Sequence, residues 1–348
     1  RLRPKGKTMP AEEKLPLHVL SGFLGSGKTT LLKNWLARQD VNDIALLVNE
    51  FGEVGIDHHL LHAVAPDTVL LPSGCVCCQI RGELQAALLA LYERRARGLI
   101  PAFRYVVLET SGLADPAPIL STLLHDRQLQ SHFTPGTLVT LVDAEHAHRQ
   151  ADLQPEWLAQ VTAADKLLVS KSDRIAPEET VTLEQWLRQL NPLAEVSTTR
   201  LAQDTPDWLF RSEVFRGSYE QRFRWLGSCA DNTFSLVPKR DGGAHPTTET
   251  CVISLEQSLN WPAFAIWLSM LLHCHGNAVL RMKGILRVSD SETPVVIHGV
   301  QHTLHPPVHL DDWPGALSHS TLVFILRGLE AHRLQQAFSR FMQVLQES

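Results

Sequence analysis

The segment Gly22-Phe23-Leu24-Gly25-Ser26-Gly27-Lys28-Thr29 constrains this chain more than any other feature. It fits G-x-x-x-x-G-K-[ST]. An apolar run at 17–20 precedes it, and Leu31, Leu32, Trp35 and Leu36 follow at helical spacing. Strand, glycine loop and helix in that order are the context in which the pattern carries a mechanism. Glycines let backbone N–H groups turn inward around phosphate oxygens, and the helix N-terminus adds positive potential. Lys28 is then expected to reach the β- and γ-phosphates and the Thr29 hydroxyl to bind Mg²⁺. Gly22, Gly25, Ser26, Gly27 and Thr30 complete the expected phosphate cradle. The alternative, a glycine turn with a solvated Lys, does not account for the flanking pattern.

Short apolar runs at 44–48, 105–108, 138–142, 166–170 and 195–197 alternate with helical patterns, the signature of a mainly parallel α/β sheet. One helix is expected over 80–97, with Ile80, Leu84, Leu88 and Leu91 on one face and Gly98 as its C-cap. Polar loops follow the strands, where α/β folds bind ligands. The rhythm is lost over 200–230. A chain of 348 residues suits two domains. We read 9–210 as a P-loop NTPase domain, 211–231 as a linker and 232–348 as a smaller α+β domain. The second domain is expected to hold strands at 251–255, 278–288, 294–304 and 321–326. Its helices are a segment capped by Asn260, running to His275, and a last one over about 330–345.

Hydrophobic residues at 44% and charged residues at 20% fit a globular chain and exclude a disordered or fibrous one. The net charge of −5, with 8 Lys+Arg against 10 Asp+Glu from residue 231 onward, leaves no basic footprint for nucleic acid. No apolar run is long enough for a membrane span. The basic residues 1–8 lack the apolar core of a secretory signal, and Met9 is a candidate start. Three of the 6 Cys, Cys75, Cys77 and Cys78, fall within four residues. Such neighbours do not form a disulfide framework and read as a thiolate site in a reducing, cytoplasmic compartment.

Beyond the phosphate loop, Val106-Val107-Leu108-Glu109 is an apolar strand ending in an acid, where a Walker B carboxylate that holds Mg²⁺ belongs. Gly112 follows as a candidate hinge near the γ-phosphate. Ser170-Lys171-Ser172-Asp173 follows another strand. A carboxylate at Asp173 can accept from guanine N1–H and N2–H₂, which adenine lacks, and the Lys171 stem can cover the base face. Most GTPases carry Asn or Thr where Ser170 stands. The acids and glycines of residues 49–57 suit a switch segment. Gly74-Cys75-Val76-Cys77-Cys78 then leads into the expected helix, whose N-terminus favours thiolates, and thiolates select Zn²⁺ or other soft metals. Three Cys leave a tetrahedral set one short. Glu53 is the first candidate for the fourth ligand, and His58, His59 and His62 are the second. Buried apolar Cys and a redox dithiol are the alternatives. Cys229, Cys251 and Cys274 read as core residues, and His273 to His275 as a helix end. His298, His302, His305 and His309 form a weaker candidate for a second metal site.

In this order, GFLGSGKTT, NEFGEVGID, GCVCC, ETSGLADP and SKSD resemble the CobW-type GTPases, the YjiA-like branch in particular. These are P-loop GTPases related to the nickel-insertion GTPases of hydrogenase and urease maturation. LRMKGIL at 280–286 and TLVFI at 321–325 look like the C-terminal domain of that family. The resemblance implies a GTP-hydrolysing metallochaperone that uses GTP, Mg²⁺ and Zn²⁺ or Co²⁺ and serves a client metalloprotein. It implies metal-site roles for Cys75, Cys77 and Cys78, a metal or switch role for Glu53, and a counterpart histidine at His125. A long His-rich tract found in some members is missing here. A homodimer is an open alternative to a monomer. Competing functions are an ATP-dependent kinase acting on a small molecule and a non-catalytic metal or redox sensor.

Overall fold

The computed structural model describes residues 14–38, 43–49, 69–71, 79–199, 209–210, 234–236, 248–289, 291–314 and 319–347. The first part of the chain runs β1 (Leu15–Gly22), α1 (Lys28–Leu36), β2 (Ile44–Asn49), β3 (Val69–Leu71), α2 (Gln79–Ala96) and β4 (Tyr105–Glu109). It continues through α3 (Ala117–His125), α4 (Arg127–His132), β5 (Phe133–Asp143), α5 (Ala147–Leu153), α6 (Pro155–Ala163) and β6 (Lys166–Ser170). α7 (Pro177–Leu190) and β7 (Glu195–Thr198) close it. The seven strands form one sheet in the order β3-β2-β4-β1-β5-β6-β7, every pair parallel.

Both faces of this sheet are buried, which is why its strands read as continuous apolar runs. Alternate residues go to opposite sides. In β4, Val106 and Leu108 join one core with Leu84, Leu88 and Leu91 of α2, while Val107 joins the other with Leu31, Leu32 and Trp35 of α1. Phe210 also packs on the α1 side, its ring 4.8 Å from that of Trp35. The expected helix over 80–97 is present as α2, and Gly98 follows it at φ +68°.

The second part adds β8 (Phe234–Leu236), β9 (Thr248–Leu255), α8 (Trp261–His275), β10 (Val279–Leu286), β11 (Val295–Val300), β12 (Thr303–Leu304), β13 (Val308–His309), β14 (Ser320–Arg327) and α9 (Ala331–Glu347). Its antiparallel sheet has the order β12-β11-β10-β14-β9-β8, with β13 on β11. Asn260 caps α8 as expected, its side chain accepting from Ala263 N–H at 3.0 Å. Phe264, Leu268 and Leu272 of α8 and Leu334 and Phe338 of α9 cover one face. The other face packs through Leu280, Ile285, Val296 and Val323 on Leu193 of the first part.

Four expectations need correction. The run 294–304 is not one strand: Gln301 adopts φ 49° and turns the chain back, so β12 pairs antiparallel with β11. β5 is longer than 138–142, because residues 133–135 also pair with β1 despite Pro135. There His18 Nδ1 accepts the Thr137 N–H at 2.9 Å, and the ring lies so close that a Cβ on Gly136 would meet Nδ1 at 2.6 Å. β3 was not anticipated. Cys274 is exposed rather than core, because it sits on the outer face of the last turn of α8, whereas Cys251 is buried in β9. The proposed linker 211–231 and Cys229 lie outside the described residues.

A charged seam joins the two parts. Asp165, at the start of β6, pairs with Arg281 of β10. Lys283 Nζ lies 3.6 Å from the same carboxylate and 3.3 Å from the Leu193 carbonyl. Farther along, Gln301 Nε2 donates to Asp115 Oδ2 at 3.0 Å. Among the described residues no helix is long and apolar enough to cross a membrane.

Candidate nucleotide site

β1 ends at Gly22, and the chain then turns through Gly25 and Gly27 at φ 75° and 97°, so α1 starts directly at Lys28. Those left-handed positions suit glycine, and the Ser26 N–H closes the turn on the Phe23 carbonyl at 3.1 Å. The Lys28 ammonium curls back into the loop, donating to the Gly22 carbonyl at 2.8 Å. The Ser26 hydroxyl is buried and makes no hydrogen bond among the described residues, an orphan at the place where a phosphate oxygen would accept one.

The Thr29 hydroxyl donates to Glu109 Oε1 at 2.8 Å. The two lie 80 residues apart in sequence, and the parallel ladder brings them together: Glu109 stands beside Leu20 of β1 and Val48 of β2 at the carboxyl end of the sheet. Glu109 is buried. A hydroxyl and a carboxylate at the mouth of the phosphate loop form a donor set that fits Mg²⁺, an oxygen-seeking ion. Gly112 packs against the loop itself, so tightly that a Cβ would meet Leu24 N at 2.6 Å.

Ser170 ends β6, and Lys171 and Asp173 follow it at the same end of the sheet. The buried Ser170 hydroxyl donates to the Ser26 carbonyl of the phosphate loop at 2.7 Å. Serine is therefore long enough to tie the two loops together. Lys171 takes a left-handed backbone, φ 57°, and Asp173 lies exposed in a single 3-10 turn, Ser172–Arg174. The structure thus gathers Gly22, Gly25, Ser26, Gly27, Lys28, Thr29, Glu109, Gly112, Ser170, Lys171 and Asp173 at one end of the sheet. Thr30 is exposed on α1.

With that geometry in place, the known proteins similar to this chain are informative. Residues 16–198 match the CobW/HypB/UreG nucleotide-binding domain, and residues 248–342 match the cobalamin synthesis protein cobW C-terminal domain. The chain belongs to the CobW/HypB/UreG family. It is 31% identical to the zinc chaperone YjiA of Escherichia coli (strain K12) over 92% of this chain and 96% of that one. It is 30% identical to the zinc-regulated GTPase metalloprotein activator 1 of Schizosaccharomyces pombe over 54% of this chain and 46% of that one. The crystal structure of Zn(II)-bound YjiA GTPase from E. coli superposes with a TM-score of 0.68 at 26% identity, covering 94% of this chain and 99% of that one.

Within this CobW-type architecture two polar residues escaped the sequence analysis. Gln160 of α6 is fully buried, and its Nε2 donates to the Gly112 and Ala114 carbonyls at 3.1 and 3.0 Å, fixing the segment after Glu109. Nothing in its local sequence marks it. Asp143 ends β5 as Glu109 ends β4, and it accepts the Lys171 ammonium at 2.6 Å. The strand-end acid that singled out Glu109 was equally visible there.

Cys75, Cys77, Cys78, Glu53, His58, His59, His62 and residues 50–57 of the expected switch lie outside the described residues. Among the described residues, His298, His302, His305 and His309 do not form a ligand set. His302 has Nδ1 2.8 Å from the Leu272 carbonyl and Nε2 3.0 Å from Asn277 Oδ1, while His309 is exposed on β13. The His298 and His305 rings lie 6.1 Å apart, behind the charged seam. Burial pushes both imidazoles down, helped by the Lys283 and Arg281 charges, His305 to about 4. His125 is held by the Ser121 carbonyl at 2.9 Å and lines a groove of about 500 Å³ with Gln85, Asp126 and His302.

Proposed function

We propose that this chain is a GTP-hydrolysing metallochaperone that loads zinc at Cys75, Cys77 and Cys78 and passes it to a client metalloprotein. The observation that carries the nucleotide half is the Ser170–Ser26 bond, which fastens the base loop to the phosphate loop with Asp173 at its rim. The Asp173 carboxylate accepts from guanine N1–H and N2–H₂. The Lys28 ammonium exchanges the Gly22 carbonyl for phosphate oxygens, and the loop amides and Ser26 hydroxyl add donors around them. Thr29 and Glu109 would hold Mg²⁺, which neutralises charge developing on the phosphates. Turnover alone is slow, and a partner or metal stimulates it.

The zinc half rests on the thiolate motif and on the zinc chaperone and zinc-regulated relatives. α2 starts at Gln79, one residue after Cys78, and its Leu84, Leu88 and Leu91 pack into the same core as β1 and β4. Linkage requires reciprocity: if Mg-GTP tightens zinc binding, zinc tightens GTP binding by the same factor. Zinc titration of the wild type and Cys77→Ala, with and without a non-hydrolysable GTP analogue, tests this. The wild type should bind zinc more tightly with the analogue, and Cys77→Ala should lose most of its zinc affinity. GTP affinity that is indifferent to zinc would sink the coupling, and ATP competing as well as GTP would sink the guanine assignment.

A further inference from the structure

Three elements meet at one carboxylate on the base side of the site. Asp143 closes β5, and its side chain is only 2% exposed. Its Oδ1 accepts the Glu145 N–H at 3.0 Å. Its Oδ2 faces Lys171 Nζ at 2.6 Å and His146 Nδ1 at 3.2 Å. Asp143, Glu145 and His146 each offer a ligand atom within 4.8 Å of the others, the spacing of a metal site. A cation already sits against them, the Lys171 ammonium, so the cluster is a lysine seat. Glu145 is drawn the other way, toward Arg174 at 3.4 Å.

Lys171 stands between Ser170, bonded to the phosphate loop, and the Asp173 turn. Its backbone is left-handed, a conformation that L side chains avoid unless their surroundings impose it. A free lysine stem samples many rotamers. Here one end is fixed by that backbone and the other by a short charge-assisted bond. The four methylenes between them become a fixed apolar shelf at the rim where the base must lie.

We infer that Asp143 is a positioning residue for the nucleotide base, acting through Lys171. This rests on the guanine-nucleotide assignment of the same site. The shelf touches the face of the base, and every purine has one. Asp173 touches its edge. Asp143 therefore sets affinity for purine nucleotides in general, and Asp173 sets which purine is preferred. Pre-organising the stem before binding removes an ordering cost that the ligand would otherwise meet.

The test is equilibrium competition against a fluorescent GDP, with unlabelled GDP, IDP and ADP as probes. The proteins are wild type, Asp143→Ala, Asp143→Asn, Lys171→Ala, the Asp143→Ala/Lys171→Ala double variant and Asp173→Ala. Loss of one charge-assisted bond should weaken GDP about tenfold in Asp143→Ala and in Lys171→Ala. IDP should weaken by the same factor, leaving the GDP-to-IDP ratio of the wild type. The double variant should bind about as well as either single one, because both remove the same shelf. Asp143→Asn, which keeps an acceptor, should recover about a third of the lost factor on a logarithmic scale. Wild-type GDP affinity in Lys171→Ala, or losses that multiply in the double variant, would overturn the inference. Lys171→Ala decides this even if Asp143→Ala does not fold. Asp173→Ala reports separately: it should abolish the preference for GDP over ADP. A wild type without that preference defeats the guanine assignment itself, whereas a failed cycle with the preference intact defeats only the role of Asp143.

Discussion

The two ends of the parallel sheet each carry a lysine–aspartate pair, and the pairs differ in what surrounds them. At the carboxyl end, Lys171 and Asp143 meet at 2.6 Å, the lysine side chain 19% exposed at the rim of the nucleotide site. At the amino end, Asp165 is closed in by Arg281 and Lys283 of the second domain, the lysine side chain only 11% exposed. Burial alone would raise the Asp165 carboxyl. The Arg281 and Lys283 charges, the Leu138 N–H and His298 outweigh it and hold the group well below the usual carboxylate range. Burial pulls the Lys283 ammonium down to about 8, with the Arg281 charge adding to the effect and Asp165 opposing it. Like chemistry thus stands beside the phosphate-loop end of the sheet in one case and against the second domain in the other.

The largest expected effect comes from breaking the seam. Asp165→Ala leaves two buried cations facing no carboxylate and should cost about 3–5 kcal/mol of stability. Chemical denaturation followed by tryptophan fluorescence would measure it. Replacing all three groups together, Asp165→Leu with Arg281→Met and Lys283→Met, should cost less than Asp165→Ala alone, since no charge is then stranded. If the triple change proves the more damaging, the seam is stabilising in its own right, and the contrast with the carboxyl end weakens.

At the nucleotide end the comparable change should spare stability and remove function. Lys28→Ala should lower GTP hydrolysis by about 10²–10³-fold, with a thermal midpoint within a few degrees of the wild type. A phosphate-release assay and a melt on the same preparation suffice. A Lys28→Ala protein that still hydrolyses GTP normally would remove the phosphate-loop reading altogether.

A third prediction sharpens the contrast through pH. His18 of β1 is buried beside Tyr105 and Phe210 and feels the Lys166 and Asp165 charges. Burial and the Lys166 charge depress its imidazole to about 3, and Asp165 opposes them. The unfolded chain takes up this proton near pH 6.5 while the native state refuses it until about pH 3. Protons therefore favour unfolding across that window, and stability falls as pH falls. From His18 alone the loss at pH 5 is about 2 kcal/mol. His305, depressed to about 4, adds to it. Denaturant midpoints between pH 7.5 and 4.5 should decline, and His18→Asn, which keeps an acceptor for Thr137 N–H, should flatten the slope. An equally steep slope in that variant would place the acid sensitivity elsewhere.

The same contrast explains what the sequence revealed. The parallel sheet was legible because strands buried on both faces leave unbroken apolar runs such as Leu167–Val169, and the phosphate loop because its glycines and lysine are contiguous. The seam was not. Asp165 and Arg281 are 116 residues apart, and a lone arginine inside an apolar strand gives no hint of its partner. The turn at Gln301 was missed for a similar reason: a left-handed glutamine has no sequence signal, and the β-branched Val300 before it and Thr303 after it fit one continuous strand. Gln160 was invisible because a buried glutamine is defined by the carbonyls it meets. Asp143 was legible and passed over, since the strand-end acid was sought only beside the phosphate loop.

The smallest effect concerns the bond between the two loops. Ser170 stands where most GTPases carry Asn or Thr, and its short side chain spends its only proton on the Ser26 carbonyl at 2.7 Å, with the Val142 carbonyl at 3.3 Å. Ser170→Ala removes that donor and leaves the buried Ser26 carbonyl without it. The expected loss is about 1 kcal/mol, or roughly fivefold in GDP affinity. Because the bond fastens the base loop to the phosphate loop, inorganic phosphate affinity and GDP affinity should separate: GDP weakens and phosphate alone does not. Ser170→Thr, which keeps the hydroxyl, should bind GDP close to the wild type. If Ser170→Ala weakens both ligands alike, the hydroxyl is shaping the phosphate loop itself rather than joining it to the base loop.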